Sequence, residues 1–105
     1  MDEKESLKLI QEFIEKLSKD FKIHTVLFFG SRAEGRAKEH SDIDLIVVSD
    51  DFEGMNFFRR VAKMYEYWHT TMPVDFLCFT IKEYNRLKKR ISIVKEALQN
   101  GITIR

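Results

Sequence analysis

The sequence predicts a layered α/β fold in which a mixed sheet of three to five strands is flanked by helices. Short runs of β-branched and aromatic residues, typical of buried strands, alternate with segments whose apolar residues recur every three or four positions. Capping and turn residues separate these segments. The resulting order, α-β-α-β-α-β-α-α-β, indicates helices packed against a sheet.

The first segment predicts an amphipathic helix followed by a buried strand. The apolar residues of the helix fall at helical spacing: Leu7, Ile10, Phe13, Ile14 and Leu17. Asp2 and Glu5, which precede them, match a capping box. The stretch from Ile23 to Phe29 is rich in β-branched and aromatic residues and stops at Gly30, which indicates a strand buried on both faces.

The next segment predicts a short helix and a second strand. Ser31 and Glu34 match an S-x-x-E capping pattern, which predicts a helix over residues 31–38 with Ser31 at its N-terminus. After a polar stretch, the run from Asp42 to Val48 predicts the second strand. Residues 49–56 contain two Asp, one Glu and one Gly, and therefore predict a loop.

The third helix and the third strand follow this loop. An apolar helix face is predicted from Phe57, Val61, Met64 and Trp68, widened by Phe58 and Tyr65. Pro73 precedes a run of apolar residues over 74–79, and a proline is tolerated at the start of a strand. This run is the third predicted strand.

The C-terminal segment is predicted to be helical, with a short strand at its end. Thr80 and Glu83 match a third capping pattern. The apolar periodicity that follows predicts two helices with a break near Ile91, although one continuous helix fits nearly as well. Gly101 predicts the helix end, and residues 102–104 predict a last strand.

Length and composition limit the class of protein. A chain of 105 residues predicts one domain over residues 1–105, and 44% hydrophobic residues suffice for one core. With 18 basic and 17 acidic residues, a surface built throughout for nucleic acid is not expected. The sequence has neither a signal peptide nor an apolar run of roughly 20 residues, so we expect a cytoplasmic protein without a membrane segment. The lone Cys78 excludes an intrachain disulfide and is expected to be a buried apolar residue.

The junction Phe29-Gly30-Ser31 is the first candidate site. A strand that runs through a glycine turn into a helix directs free backbone N–H groups and the positive end of the helix dipole at whatever lies in front. Phosphate is the natural ligand of such a turn, and the Ser31 hydroxyl can add a hydrogen bond. By itself, the same pattern also fits a purely structural strand-to-helix turn.

Three aspartates are the second candidate site. Asp42 and Asp44 are two positions apart in a predicted strand, so their side chains leave the same face about 6.6–7 Å apart. Like charges there repel, and a bound Mg²⁺ would remove the repulsion because it prefers carboxylate ligands. Asp75 is a carboxylate between apolar neighbours in the next strand, and could complete a site for two metal ions. The structural alternatives are a solvated strand start for the pair and an ion pair with Lys or Arg for Asp75.

These motifs together carry a family resemblance. Gly30-Ser31, followed eleven residues after Ser31 by Asp42-x-Asp44, lies within GSRAEGRAKEHSDIDL. This pattern resembles the signature of the DNA polymerase β-like nucleotidyltransferase superfamily, and most of all its minimal nucleotidyltransferase branch. The resemblance extends over most of the chain and implies a nucleotidyltransferase-like fold, with the strand of Asp75 where the family has its third carboxylate.

The resemblance implies a role for each matching residue. Gly30 and Ser31 would hold the β- and γ-phosphates of an NTP, with Arg32 as a further phosphate contact or a solvent-facing residue. The metal ligands and catalytic residues would be three carboxylates that bind Mg²⁺ and activate the attacking hydroxyl: Asp42, Asp44 and Asp75. Glu34 departs from the family pattern, because many relatives have a basic residue there.

The resemblance also implies a partner. Relatives of this size are often antitoxins that transfer AMP from ATP to a tyrosine of an all-helical HEPN toxin, and we expect the same here. A homo-oligomer is compatible with the sequence. The alternative from another class is a non-catalytic module that neutralises its partner by binding it. Two surfaces could receive a partner, the aromatic segment 64–69 and the basic cluster of Arg86 with residues 88–90, although a structural or solvated role fits each as well.

Overall fold

The computed structural model describes residues 2–105, and its elements follow the predicted order with one added 3₁₀ helix. The elements are α1 (Glu3–Leu17), β1 (Thr25–Phe29), α2 (Gly30–Ala33), β2 (Ile43–Val48), the 3₁₀ helix (Asp50–Phe52), α3 (Phe57–Tyr65), β3 (Val74–Phe79), α4 (Ile81–Leu87), α5 (Ile93–Asn100) and β4 (Ile102–Thr103). The predicted α/β class is therefore confirmed.

The four strands form one mixed sheet in the order β3-β2-β1-β4. Strand β1 pairs antiparallel with β2 and with β4, whereas β2 and β3 run parallel. A parallel pair needs a crossover connection, and the segment that contains α3 supplies it. As a result, the N-terminal ends of β2 and β3 lie side by side at one end of the sheet.

Helices cover both faces of the sheet. Helices α1 and α3 pack on one face, where Ile43, Leu45 and Val47 of β2 are fully buried. On the other face, α4 and α5 cover the second core cluster, which contains Ile46 and Val48 of β2. Alternation along β2 places Asp42 and Asp44 on this second face, beyond the residues of that cluster.

Two of the three predicted capping patterns have their N-cap residue at the expected position. Asp2 caps α1 by accepting a hydrogen bond from the Glu5 amide at 2.8 Å. Thr80 and Glu83 form a complete capping box at the start of α4. Ser92 caps α5, so the C-terminal segment consists of two helices with a break before Ile93, as the first of the two readings predicted.

The predicted cap of α2 is wrong. This helix begins at Gly30 with Phe29 at its N-cap and without a side-chain cap bond, so Ser31 lies inside the helix and does not cap it. The helix also ends at Ala33 and does not continue to residue 38. The reason is that Gly30 has a φ of +80°, which turns the chain one residue earlier than a serine cap would.

The apolar face predicted for α3 is also wrong in part. Phe57 and Phe58 are 57% and 88% exposed, whereas Arg60 is buried on the inner side of the helix beside Met64. The Arg60 guanidinium donates hydrogen bonds to the carbonyl oxygens of Met55 and Cys78 at 2.8 and 3.1 Å. A charged side chain can therefore occupy the inner position because it satisfies polar atoms that an aromatic ring would leave unpaired.

Two expectations from composition can be examined in the structure. Cys78 is fully buried in β3, as predicted, and burial raises the pKa of its thiol to about 12. A buried thiol of this kind packs as a small apolar residue. Within residues 2–105, none of the helices has both the length and the apolar character required to cross a bilayer.

Candidate active site

Two of the three predicted carboxylates are direct neighbours in the sheet. In the parallel register of β2 and β3, Asp44 lies beside Asp75. Asp42 precedes β2 by one residue and, two positions before Asp44, lies on the same side of the chain. Asp42 and Asp44 are half-buried and Asp75 is exposed, so the group opens to solvent at the end of the sheet.

The glycine turn contacts the same group from the other side. The last residue of β1, Phe29, pairs with Asp44 in the antiparallel register, which places Gly30 at the edge of the carboxylate group. A Cβ atom at Gly30 would collide with the carboxylate of Asp44, and the positive φ of Gly30 disfavours any other residue. The turn and the aspartates therefore form one continuous site. The first amides of α2 start from this turn, where a helix leaves its N–H groups free for an anion.

Burial and mutual repulsion both disfavour the charged forms of the carboxylates at this site. Burial, followed by the charges of Asp75 and Asp42, raises the pKa of Asp44 to about 6. The pKa of Asp75 is also raised, by burial, by the charge of Asp42 and by a hydrogen bond with Asp42. Carboxyl groups that share a site in this way favour either a shared proton or a bound cation.

The donor chemistry fits a hard divalent cation. All three side chains offer carboxylate oxygens, which Mg²⁺ prefers, and a cation would relieve the repulsion seen in the raised pKa values of Asp44 and Asp75. In the arrangement found over residues 2–105, no three His, Cys, Asp or Glu side chains surround a common point as a finished metal centre does.

Arg32, predicted to contact phosphate or to face solvent, is turned into the protein. Only 6% of its surface is exposed. Its Nε donates a hydrogen bond to the carbonyl oxygen of Ser41 at 2.6 Å, and its Nη2 approaches that of Glu39 at 3.5 Å. The expected solvent-facing orientation is wrong, because these carbonyls attract the guanidinium to the loop that leads into Asp42.

Two features near the site were missed by sequence reasoning. Tyr65, exposed by 46%, donates a hydrogen bond from its hydroxyl to the carbonyl oxygen of Val74 at 2.6 Å. Burial and the charges of Asp75 and Asp42 raise the pKa of this hydroxyl, which places it in the field of the carboxylates. A cavity of about 150 Å³ beside the glycine turn is the second feature. Its lining includes Phe29, Gly30, Glu34, Arg36, Glu96 and Asn100.

The signals for these features were weak in the sequence. Tyr65 matched the helical spacing of an apolar face, so its polar end was not considered. Glu96 and Asn100 lie on α5, more than 60 positions after the turn, and no local pattern connects them to it.

The two predicted partner surfaces differ in their exposure to solvent. Trp68 of the aromatic segment is buried, whereas the basic cluster of Arg86 with residues 88–90 is exposed.

Comparison with known proteins agrees with this geometry. The family described as polymerase beta, nucleotidyltransferase matches residues 11–104. A probable protein adenylyltransferase, MntA, of Haemophilus influenzae is 29% identical over 94 residues, which cover 86% of this chain and 78% of that protein. This chain belongs to the polymerase beta nucleotidyltransferase family, and within it to the minimal nucleotidyltransferases. It is an enzyme of the nucleotidyltransferase class.

Solved structures show the same fold. A protein of Sulfolobus solfataricus, described as a candidate nucleotidyltransferase, superposes with a TM-score of 0.70 at 26% identity over 96% of this chain and 80% of that one. A toxin–antitoxin structure with AMP-PNP superposes with a TM-score of 0.52 at 19% identity, over 100% of this chain and 73% of that one. At that identity, the second likeness concerns the fold alone.

Proposed function

We propose that this nucleotidyltransferase uses Mg²⁺ to transfer AMP from ATP to a hydroxyl group of a partner protein. The observation that carries the proposal is the meeting of Asp44 with Asp75 on one side and with Gly30 on the other. Carboxylates for a metal thus adjoin a turn suited to phosphate. The adenylyl group and the protein acceptor are supported by the relative named a probable protein adenylyltransferase.

Each residue of the site has a role in this proposal. Asp42, Asp44 and Asp75 hold Mg²⁺, and Gly30 and Ser31 receive the β- and γ-phosphates at the start of α2. Bound Mg²⁺ would neutralise charge on the triphosphate and on departing pyrophosphate. The acceptor oxygen attacks the α-phosphorus, the bond from that phosphorus to the bridging oxygen of pyrophosphate breaks, and the acceptor proton passes to a carboxylate oxygen of Asp75.

We further propose that the acceptor is a tyrosine of a HEPN-family toxin and that the chain acts as its antitoxin. The relative named a probable protein adenylyltransferase supports a protein acceptor, and two structures of the same fold are described as toxin–antitoxin structures. The tyrosine and the HEPN toxin come from the family resemblance. The geometry is compatible with a macromolecular acceptor, because Asp75 is exposed on an edge strand where a large partner has access.

The first test is calorimetric binding of ATP with and without Mg²⁺, with GTP, CTP and UTP as competitors. We expect binding that requires Mg²⁺ and that falls at least about 100-fold in Asp44→Asn, because the metal supplies several kcal/mol of charge stabilisation. Asp51→Asn is the matched control, since Asp51 is an exposed acceptor for the Lys22 amide and asparagine retains an acceptor oxygen. Binding that Asp44→Asn retains in full would contradict the proposed site.

The second test follows the acceptor with α-labelled ATP and a HEPN-family protein. Label on a tyrosine of that protein, absent with Asp44→Asn, is the expected result. Neutralisation of the toxin by Asp44→Asn without any transfer would instead identify a binding module.

A further inference from the structure

The peptide units that precede two of the three carboxylates are each held by a side chain from another element. The carbonyl oxygen of Ser41, directly before Asp42, accepts a hydrogen bond from Arg32 at 2.6 Å. The carbonyl oxygen of Val74, directly before Asp75, accepts one from Tyr65 at 2.6 Å. The same device thus occurs on β3 and on the approach to β2.

Arg32 holds a loop that is otherwise mostly exposed. Residues 34–40 are solvent-exposed, and the local bonds near the end of this loop connect Ser41 with Lys38 at 2.9 and 3.0 Å. Those bonds close a small turn but do not connect it to the rest of the fold. The buried guanidinium of Arg32 makes that connection through Ser41 and Glu39. Arg32 belongs to α2, the helix that begins at the glycine turn.

Tyr65 holds the outer side of an edge strand. Strand β3 lies at the edge of the sheet, and its inward bond here is the one from the Ile43 amide to the Pro73 carbonyl oxygen at 3.0 Å. Because successive carbonyls alternate in direction along a strand, the Val74 carbonyl faces away from β2. Tyr65 satisfies it, and its ring packs edge-on against Phe76 with 5.1 Å between ring centroids.

We propose that Arg32 and Tyr65 are positioning residues, which set the orientation of Asp42 and Asp75 for the metal by holding the preceding carbonyl groups. The inference rests on the proposed function. Rotation of a peptide plane moves the next Cα and its carboxylate together, and a metal site tolerates displacements of only about 0.5 Å. This assigns Arg32 a role through Asp42 in place of the phosphate contact that its sequence position suggested.

The experiment measures the Mg²⁺ concentration needed for half-maximal ATP binding by calorimetry in matched variants. Tyr65→Phe removes one hydroxyl and keeps the ring, Arg32→Met removes the guanidinium, and Arg32→Lys restores one donor. Tyr67→Phe is the tyrosine control, because the Tyr67 hydroxyl donates its hydrogen bond at 2.7 Å to Asp20, which is not a residue of the candidate site. Arg59→Lys is the arginine control, at an exposed position of α3.

We expect Tyr65→Phe and Arg32→Met to need roughly 10-fold more Mg²⁺, the lower end of the effect of residues that orient metal ligands. Affinity for ATP at saturating Mg²⁺ should remain within about 2-fold of wild type, and Arg32→Lys should recover part of the loss. Both controls should behave as wild type. Thermal unfolding identifies any variant that fails to fold. If Arg32→Met fails to fold, the Mg²⁺ requirement of Tyr65→Phe tests the inference.

Two results would overturn the inference. One is an unchanged Mg²⁺ requirement in folded Tyr65→Phe and Arg32→Met. The other is a loss in the Arg32 variants that persists at saturating Mg²⁺ and grows from AMP to ADP to ATP, which would show a direct phosphate contact. If wild type binds no nucleotide at any Mg²⁺ concentration, the proposed function fails and the inference fails with it. A positive wild type with unaffected variants contradicts the inference alone.

Discussion

An acidic residue lies near each end of strand β3, and the two residues have opposite electrostatic surroundings. Asp75, near its start, lies beside Asp44, and its pKa is raised by burial, by the charge of Asp42 and by a hydrogen bond with Asp42. Glu83, just beyond its end, accepts hydrogen bonds from Arg60 at 2.7 Å and from the Thr80 amide at 2.8 Å. Burial pushes the pKa of Glu83 up, but the bonds from Arg60 and Thr80 outweigh it and hold that pKa below its ordinary value.

The difference separates a structural acid from candidate functional ones. Glu83 is neutralised by a basic partner from α3 and by a capping box, so its charge stabilises the fold. The carboxylates at the other end repel one another in the protein alone, so their arrangement costs stability that a bound cation would return. Accumulated like charge at one end of a sheet therefore marks the end where chemistry is expected.

The largest effect on stability is expected at the C-terminal end of β3, where Glu83 pairs with Arg60. Arg60→Met should lower the free energy of unfolding by about 3 kcal/mol, the lower end of the range for breaking a buried pair, because Glu83 keeps 32% of its side chain exposed. Urea unfolding measures the loss, and MgATP affinity of the folded variant should be unchanged. A parallel loss of nucleotide affinity would mean that the two ends of β3 are not independent.

A slightly smaller effect is expected at the candidate active site. Gly30→Ala places a methyl group against the Asp44 carboxylate and should weaken MgATP binding by roughly 10-fold or more, because Asp44, a proposed metal ligand, is displaced. Gly54→Ala is the matched control, since Gly54 has a φ of +79° and an added Cβ meets nothing within 4 Å. Both variants should lose about 1 kcal/mol of stability through backbone strain. Equal nucleotide affinity in the two would show that the Gly30–Asp44 contact is irrelevant to binding.

A smaller effect on stability is expected from the capping box of Thr80 and Glu83. Thr80→Ala removes the acceptor for the Glu83 amide at 3.2 Å and should cost about 1 kcal/mol in urea unfolding. The Arg60–Glu83 pair should remain, so the effects of Thr80→Ala and Arg60→Met combined should differ from their sum. Strict additivity would indicate that cap and ion pair act separately.

The stability of metal-free protein is also expected to depend on pH. The folded-state pKa of Asp44, about 6, exceeds its ordinary 3.8, so its contribution to stability is full below about pH 4 and is lost as the pH rises through 6. Glu83 has the opposite sign, because its lowered pKa gives stability above 4.5 that is lost on acidification. Urea midpoints of wild type should therefore fall between about pH 4 and about pH 7 relative to Asp44→Asn. Identical profiles of the two proteins would contradict the assigned pKa.

Local patterns in the sequence predicted the order of elements and the N-caps of α1 and α4. Strand β3 was predicted at Val74–Phe79, its observed bounds, and the Thr80 capping pattern was observed at α4. These succeed because hydrophobic period and capping depend on residues within one or two turns of each other. The candidate carboxylates were likewise predicted from charge in a strand. Their roles stay predictions until nucleotide binding is measured.

Tertiary packing decided the rest, for a physical reason that recurs. Phe58 is exposed and Arg60 is buried because Arg60 donates hydrogen bonds to the carbonyl oxygens of Met55 and Cys78, which lie under α3. The spacing of apolar residues within α3 gives no information about these carbonyls. Arg32 turns inward for the same reason, toward Ser41. The sequence by itself determined which residues could carry the chemistry and in which elements they lie. Only the folded chain brought Asp44 against Asp75 and Gly30, because sheet register and the demand of buried polar atoms for partners involve residues distant in sequence.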